Sequence, residues 1–146
     1  MPEVRKERTG WRDEAMSIRH REYGYDCPAV DIDFLMLEYD NGKPVAIIEY
    51  KNERAAPVDL KHPSYKALKR LADLSNIHFF LVRYASDFSW WTITPVNSSS
   101  FSVSKIKTSL TVDEVRYVRF LYYLRGRELP NDIKEKVEGL WQHSVI

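Results

Sequence analysis

Two pairs of charged residues interrupt otherwise apolar stretches of the sequence. Asp31 and Asp33 open the stretch VDIDFLMLEY, and Glu49 and Lys51 close the stretch PVAIIEYK. Ionised groups at partly buried positions lose solvation, and converging carboxylates repel each other. A divalent cation relieves both penalties, because Mg²⁺ prefers carboxylate, water and phosphate oxygens as ligands. An Asp/Glu/Lys set around Mg²⁺ is sufficient chemistry for hydrolysing a phosphodiester bond.

Each pair taken alone has an ordinary structural explanation. Glu49 and Lys51 can form a solvated pair at a strand end, and the two aspartates can cap a turn after Pro28. Their joint placement favours a site instead. The acidic pair opens one predicted strand, and the Glu-x-Lys triplet closes its neighbour.

The site depends on a predicted β-hairpin with strands over residues 29–39 and 44–53, joined by the turn Asp40-Asn41-Gly42. Residues two apart in a strand share a face, so each charged pair points to one side. A three-residue loop or a β-bulge brings the acidic pair beside the Glu-x-Lys triplet, with Asp33 next to Glu49. A strict two-residue Asn-Gly turn moves Asp33 to the wrong face.

The remaining hydrophobic patterns predict further helices and strands around this hairpin. Helices are expected over 9–22, 62–76, 111–127 and 131–142, strands over 77–85 and 90–96, and a polar serine-rich loop over 98–102, with an extra strand near 101–107 as an option. The order α-β-β-α-β-β-α lacks strict βαβ alternation. It predicts an α/β protein of mixed α+β character, with a central mixed sheet flanked by helices.

The hairpin resembles the PD-(D/E)xK nuclease superfamily, which includes many restriction enzymes, Holliday-junction resolvases and RecB-like nucleases. The residues that carry the resemblance are Asp33 and the triplet Glu49-Tyr50-Lys51. The resemblance implies a restriction-endonuclease-like core over about residues 9–97. Its third core strand is either very short or lies around 53–60, with Val58 and Leu60. The His20-Arg21 dipeptide and the stretch Asp-Ile-Asp-Phe resemble small phage or prophage proteins of this superfamily.

The resemblance also implies roles for individual residues. Asp33 and Glu49 would bind Mg²⁺ or Mn²⁺, with Asp31 as the second choice for the aspartate. Lys51 would position the attacking water or steady the transition state. The first helix often adds a glutamate, for which Glu14 is the candidate and Glu22 the alternative. The proline-aspartate dipeptide and the glutamine that often follows Glu-x-Lys are both missing.

A nuclease of this kind needs contacts to DNA, and its net charge does not supply them. The chain carries 22 basic and 21 acidic residues, a net charge of +1. DNA affinity is therefore expected in local patches. The candidates are Arg21, Lys66, Lys69, Arg116 and Arg119. A protein partner or a homodimer is also compatible with the sequence.

Length and composition set the remaining expectations. The 146 residues, 44% hydrophobic and 29% charged, predict a single domain over 1–146 with a C-terminal helical addition over about 108–146. No apolar run approaches the roughly 18 residues of a membrane helix, so no membrane partner is expected. The start lacks the apolar segment of a signal peptide, and the single cysteine cannot form an internal disulfide. These features predict a cytoplasmic protein.

Three functions compete on this reading. The first is a Mg²⁺-dependent nuclease that hydrolyses DNA. The second is a non-catalytic module of the same fold that binds nucleic acid or a protein partner. The third is a small module of another kind, in which the acidic hairpin is a surface feature.

Overall fold

The chain divides into two units at Asp31, and a computed structural model describes its residues 14–24 and 26–144. The first unit contains helix α1 (Glu14–Arg21), which ends in three basic residues. The predicted helix over 9–22 is thus seen from Glu14 onward, and its earlier residues lie outside the described part. The second unit begins at Ile32 and contains all the other elements.

The second unit is built on a five-stranded mixed sheet in the order β1-β2-β3-β4-β5. The strands are β1 (Phe34–Glu38), β2 (Lys43–Asn52), β3 (His78–Tyr84), β4 (Trp91–Pro95) and β5 (Leu110–Val112). The helices are α2 (Pro63–Leu74), α3 (Ser98–Ser104), α4 (Glu114–Leu124) and α5 (Asn131–Ser144). β2 and β3 are parallel, and every other neighbouring pair is antiparallel. The predicted mixed sheet flanked by helices is therefore confirmed.

The hairpin between β1 and β2 turns through residues 39–42, one more than the sequence suggested. Gly42 adopts φ +68°, a left-handed conformation that side chains disfavour, and its N–H donates to the Glu38 carbonyl at 2.8 Å. A four-residue loop alone would displace the strands by one position. The loop therefore needs a compensating irregularity elsewhere in the hairpin.

A β-bulge supplies that compensation. The register shifts between Met36 and Leu37, and beyond this point Phe34 pairs with Ile48. Extended by one residue, the register places Asp33 beside Glu49. The sequence required either a three-residue loop or a β-bulge to place Asp33 beside Glu49. The structure contains the bulge, together with a loop of four residues.

The two faces of the sheet carry separate hydrophobic clusters. Ile47 and Phe79 pack under α2 against Leu68 and Ala72. On the opposite face, the cluster includes Ile48, Phe80 and Val82 from the sheet and Tyr117 from α4. Burying each such large side chain contributes about 1.5–3 kcal/mol. Because side chains alternate along β2, Glu49 and Lys51 share the face of Ile47, which α2 covers.

Several expectations about individual elements were wrong. Residues 53–60 form turns and loop instead of a third core strand, and the serine-rich segment 98–102 lies in helix α3. The helix predicted over 111–127 begins later, at Glu114, because Thr111 lies in β5 and Asp113 caps α4. On α2, Leu68 and Ala72 are buried, whereas Leu71 and Leu74 are exposed.

Candidate active site

Asp33 and Glu49 are linked by hydrogen bonds that involve the backbone of each strand. The Asp33 N–H donates to Oε1 of Glu49 at 3.1 Å, and the Tyr50 N–H donates to Oδ2 of Asp33 at 3.1 Å. Each bond engages one carboxylate oxygen. The second oxygen of each carboxylate can therefore accept a hydrogen bond or bind a cation.

The two carboxylates differ in their exposure to solvent. Glu49 is only 6% exposed, whereas Asp33 is exposed. Burial raises the pKa of Glu49, and the negative charge of Asp33 raises it further. The Asp33 N–H and the positive charge of Lys51 act in the opposite direction. An ionised Glu49 is thus disfavoured unless a positive charge approaches it.

Lys51 lies two residues beyond Glu49 on the same strand and is half-buried. Its partner in the parallel register on β3 is Arg83. The Arg83 guanidinium is committed elsewhere, because it donates to the carbonyls of Asn52, Ala55 and Ala56 at 3.3, 2.9 and 3.2 Å. Arg83 therefore fixes the loop that follows Lys51.

The other predicted ligands lie in the first unit. Asp31 is its last residue, Glu22 is exposed after α1, and Glu14 is the first residue of α1, with its side chain outside the described part. Their roles remain predictions. Asp33 lies in the second unit and contacts Glu49 through its backbone N–H.

The donor set of the second unit consists of two carboxylates. Among the described residues, no group of three or more His, Cys, Asp or Glu side chains is arranged to hold a metal ion. Mg²⁺ commonly uses one or two protein carboxylates and keeps waters or substrate phosphate oxygens as its other ligands. Asp33 and Glu49 therefore fit Mg²⁺ better than a metal that requires a complete protein cage.

The predicted DNA-binding residues are distributed over both units. Arg21 is exposed at the end of α1 in the first unit. Lys66 and Lys69 are exposed on α2, the helix that covers the Glu49 face of the sheet. Arg116 and Arg119 are exposed on α4, which packs on the opposite face. The structure thus leaves all five side chains accessible, and within the second unit the α2 pair and the α4 pair lie on opposite faces of the sheet.

The structural roles of Tyr50 and Arg83, two residues near the site, were not predicted from the sequence. Tyr50 holds the Asp33 carboxylate through its N–H, while its ring packs edge-on against Phe34 and its hydroxyl bonds to that of Tyr117 at 2.5 Å. Arg83 orders the neighbouring loop. A charged residue inside the apolar run IHFFLVRYA is the same signal that identified Glu49, so it could have identified Arg83.

Comparisons with known proteins add no assignment to this geometry. No family model, no curated protein and no solved structure matches the chain. In the described part of the chain, every helix is too short or too polar to cross a membrane.

Proposed function

We propose that the protein is a Mg²⁺-dependent nuclease that hydrolyses DNA phosphodiester bonds. The observation that carries the proposal is the hydrogen-bonded pair Asp33 and Glu49, with Lys51 on the same strand face as Glu49. A buried carboxylate beside a second carboxylate is unfavourable for folding alone. Such an arrangement is typical of a functional site.

The proposal assigns the metal to the free oxygens of Asp33 and Glu49. Bound there, Mg²⁺ or Mn²⁺ would polarise a phosphate oxygen and lower the pKa of a coordinated water. Burial raises the pKa of Glu49, repulsion from Asp33 raises it further, and a bound cation would offset both effects. The metal would therefore stabilise the ionised carboxylates of Asp33 and Glu49.

The residues of this chain would orient the two carboxylates and the attacking water. The backbone N–H of Tyr50 fixes one oxygen of Asp33, and the backbone N–H of Asp33 fixes one oxygen of Glu49. Both carboxylates are thus oriented before any ligand binds, which reduces the cost of organising the site. The ammonium group of Lys51 orients the attacking water or offsets the negative charge that develops on the phosphate.

The test compares the parent protein with Lys51→Ala, Asp33→Asn and Glu49→Gln. We expect Lys51→Ala to lower cleavage roughly 10²- to 10³-fold while keeping the metal-dependent rise in melting temperature. Asp33→Asn and Glu49→Gln should abolish cleavage and shrink that rise, because a neutral amide is a poorer ligand. The assay measures acid-soluble fragments from single- and double-stranded DNA with Mg²⁺ or Mn²⁺.

Lys43→Ala is the matched control, because Lys43 is an exposed lysine at the opposite end of β2. It should cleave like the parent. A parent that cuts no DNA form and shows no metal-dependent melting shift would reject the nuclease in favour of a non-catalytic binding module. Full cleavage by both Asp33→Asn and Lys51→Ala would place the active site on other residues.

A further inference from the structure

A groove of about 540 Å³ lies between the β3–β4 turn and the helices α4 and α5. This volume is within the range of about 300–1,000 Å³ that small-molecule sites occupy. Phe88 and Ser89 line it from the turn, Arg116 and Arg119 from α4, and Lys134 and Glu138 from α5. None of these residues belongs to the Asp33–Glu49 site.

The groove presents three cationic side chains. Arg116 and Arg119 are three residues apart on α4, so they project from neighbouring turns of the same helix face. Lys134 approaches from α5. Among the residues that the structure describes, none of the three forms an ion pair. Their charges are therefore available to an anionic ligand.

The groove is also lined by three acidic residues, Asp113, Glu114 and Glu138. The Asp113 carboxylate caps α4 by accepting the Arg116 N–H at 2.9 Å. Glu114 is half-buried, and burial raises the pKa of its carboxyl group. Glu138 is exposed at the groove wall. A carboxylate beside arginines can accept hydrogen bonds from the amino groups of a base while the cations bind phosphate.

Phe88 is held in an unusual backbone conformation at the mouth of this groove. Its φ of +62° is left-handed, a conformation that bulky residues adopt only when the surroundings enforce it. Its N–H donates to the Ala85 carbonyl at 2.8 Å, and its carbonyl accepts the Trp91 indole N–H at 3.2 Å. The ring stacks on those of Tyr84 and Trp91 but remains 44% exposed. The Phe88 ring is thus held by Tyr84 and Trp91 and remains partly exposed to solvent.

We propose that this groove binds a segment of single-stranded nucleic acid. A base stacks on the ring of Phe88, and the adjoining phosphates contact Arg116, Arg119 and Lys134. Stacking of this kind requires an unpaired base, because bases within a duplex are already stacked on their neighbours.

The position of the groove relates it to the candidate active site. The Phe88 turn follows the end of β3, which runs parallel to β2, and Lys51 pairs with Arg83 near that end. Groove and active site therefore lie at the same end of the sheet, on opposite faces. That the bound strand is a substrate rests on the proposed nuclease function. The binding itself does not, and it is measured without metal.

The experiment measures fluorescence anisotropy of a labelled ten-nucleotide single strand in EDTA. The comparison ligands are an abasic strand of the same length and the matching duplex. The variants are Phe88→Gly, Phe88→Tyr and the double variant Arg116→Ala/Arg119→Ala. Glycine tolerates positive φ, so Phe88→Gly removes the ring without adding backbone strain. Lys136→Ala is the control, since it removes an exposed lysine of α5 that does not line the groove.

We expect the parent to bind the normal strand more tightly than the abasic strand and the duplex. Phe88→Gly should weaken binding of the normal strand roughly 5- to 100-fold, and Phe88→Tyr should retain it. The arginine double variant should reduce the salt slope by roughly 0.7 per lost phosphate contact, whereas Lys136→Ala should match the parent. A melting curve of Phe88→Gly establishes that the weaker binder is folded.

Equal affinity for normal and abasic strands, or parent-like binding by folded Phe88→Gly, would overturn the inference. Strand binding that depends on Phe88 in a protein that cleaves nothing would reject the nuclease and keep the groove. The opposite result is also informative. If Lys51→Ala abolishes cleavage while Phe88→Gly changes neither cleavage nor strand affinity, the nuclease proposal stands and the groove proposal is rejected.

Discussion

The Glu49 carboxyl group is buried beside the carboxyl of Asp33, and both conditions raise its pKa above the ordinary value of 4.5. The folded protein therefore binds a proton more readily than the unfolded chain. Stability contributed by this group is largest at low pH and falls as pH rises through the folded-state pKa. An ionised Glu49 consequently destabilises the metal-free protein at neutral pH.

Glu49→Gln should raise the melting temperature of the metal-free protein at pH 7. The amide oxygen can still accept the Asp33 N–H, and the neutral group no longer repels the Asp33 carboxylate. The gain should shrink as pH falls toward 4, where Glu49 is protonated in the parent as well. Melting curves between pH 4 and 8 in EDTA measure it, with exposed Glu135→Gln as control. A variant that melts below the parent at neutral pH would show that Glu49 is stabilised by contacts other than those described.

The sequence predicted the pairing of Asp33 with Glu49 on condition of a three-residue loop or a bulge, and it did not complete the site. Strand alternation and the antiparallel hairpin are local properties, so spacing alone constrained them. Tyr50 acts through its backbone N–H, which no side-chain pattern reveals. The contribution of Arg83 depends on a loop folding back to its guanidinium, and such contacts follow from tertiary structure.

Helix α3 shows why an element was misread. Its sequence SSSFSVS has low helix propensity and is typical of a loop. The helix begins because the Asn97 side chain accepts the Ser100 N–H, while the Ser100 hydroxyl accepts the Asn97 N–H at 3.1 Å. This capping box was visible in the sequence as Asn-x-x-Ser, but its helix lacks the apolar periodicity that would have supported it.

Asn97 also joins α3 to the sheet and to α2. Its amide group donates to Asp73 and to the Ile77 carbonyl, each at 3.0 Å, and its oxygen accepts the Phe79 N–H. Asn97→Ala should destabilise the protein by about 2–4 kcal/mol, because it removes the cap and leaves buried polar groups unpaired. Urea unfolding measures the loss.

Ser98→Ala is the control for this prediction, since Ser98 is the exposed neighbour of Asn97. It should change stability by less than about 0.5 kcal/mol. A loss below about 1 kcal/mol for Asn97→Ala would mean that water replaces these hydrogen bonds, so that the network does not hold α3 in place.

Residues 53–60 illustrate the opposite error, a strand expected where none forms. Val58 and Leu60 suggested a short apolar strand. The backbone carbonyls of Ala55 and Ala56 are instead used by Arg83, which draws the segment into a loop beside β3. The local hydrophobicity of residues 53–60 did not determine their structure. The guanidinium of Arg83, which is distant in sequence, donates hydrogen bonds to backbone carbonyls of this segment.

Across the second unit, the apolar runs predicted strands β1 to β4, whereas β5 and the contacts that join distant segments were not predicted. Glu38 at the end of β1 binds two arginines that follow α4. Arg125 Nε lies 3.0 Å from its Oε1, and Arg127 Nη2 lies 2.9 Å from its Oε2. Helix α4 ends at Leu124, so Arg127 lies beyond the helix that carries Arg116 and Arg119. Arg127 instead anchors the hairpin that carries Asp33 and Glu49.

Glu38→Gln should lower the melting temperature at pH 7, because it removes the charge that both arginines share. Their hydrogen bonds and charges hold the pKa of Glu38 below its ordinary value of 4.5. The stabilisation is therefore complete above that value and is lost as pH falls through the lowered folded-state pKa. The difference between Glu38→Gln and the parent should also shrink at high salt, since the ion pairs are partly exposed.

The two glutamates of the hairpin thus carry opposite pH signatures, and measuring them together separates their causes. At neutral pH Glu38→Gln should melt below the parent and Glu49→Gln above it, and both differences should diminish toward acid pH. The double variant should show the sum of the two shifts, because the residues lie at opposite ends of the hairpin and share no hydrogen-bond partner. A double variant that departs strongly from this sum would mean that the Glu38–arginine anchor controls the geometry of the carboxylate pair. In that case Glu38→Gln should also weaken the stabilisation of the protein by Mg²⁺.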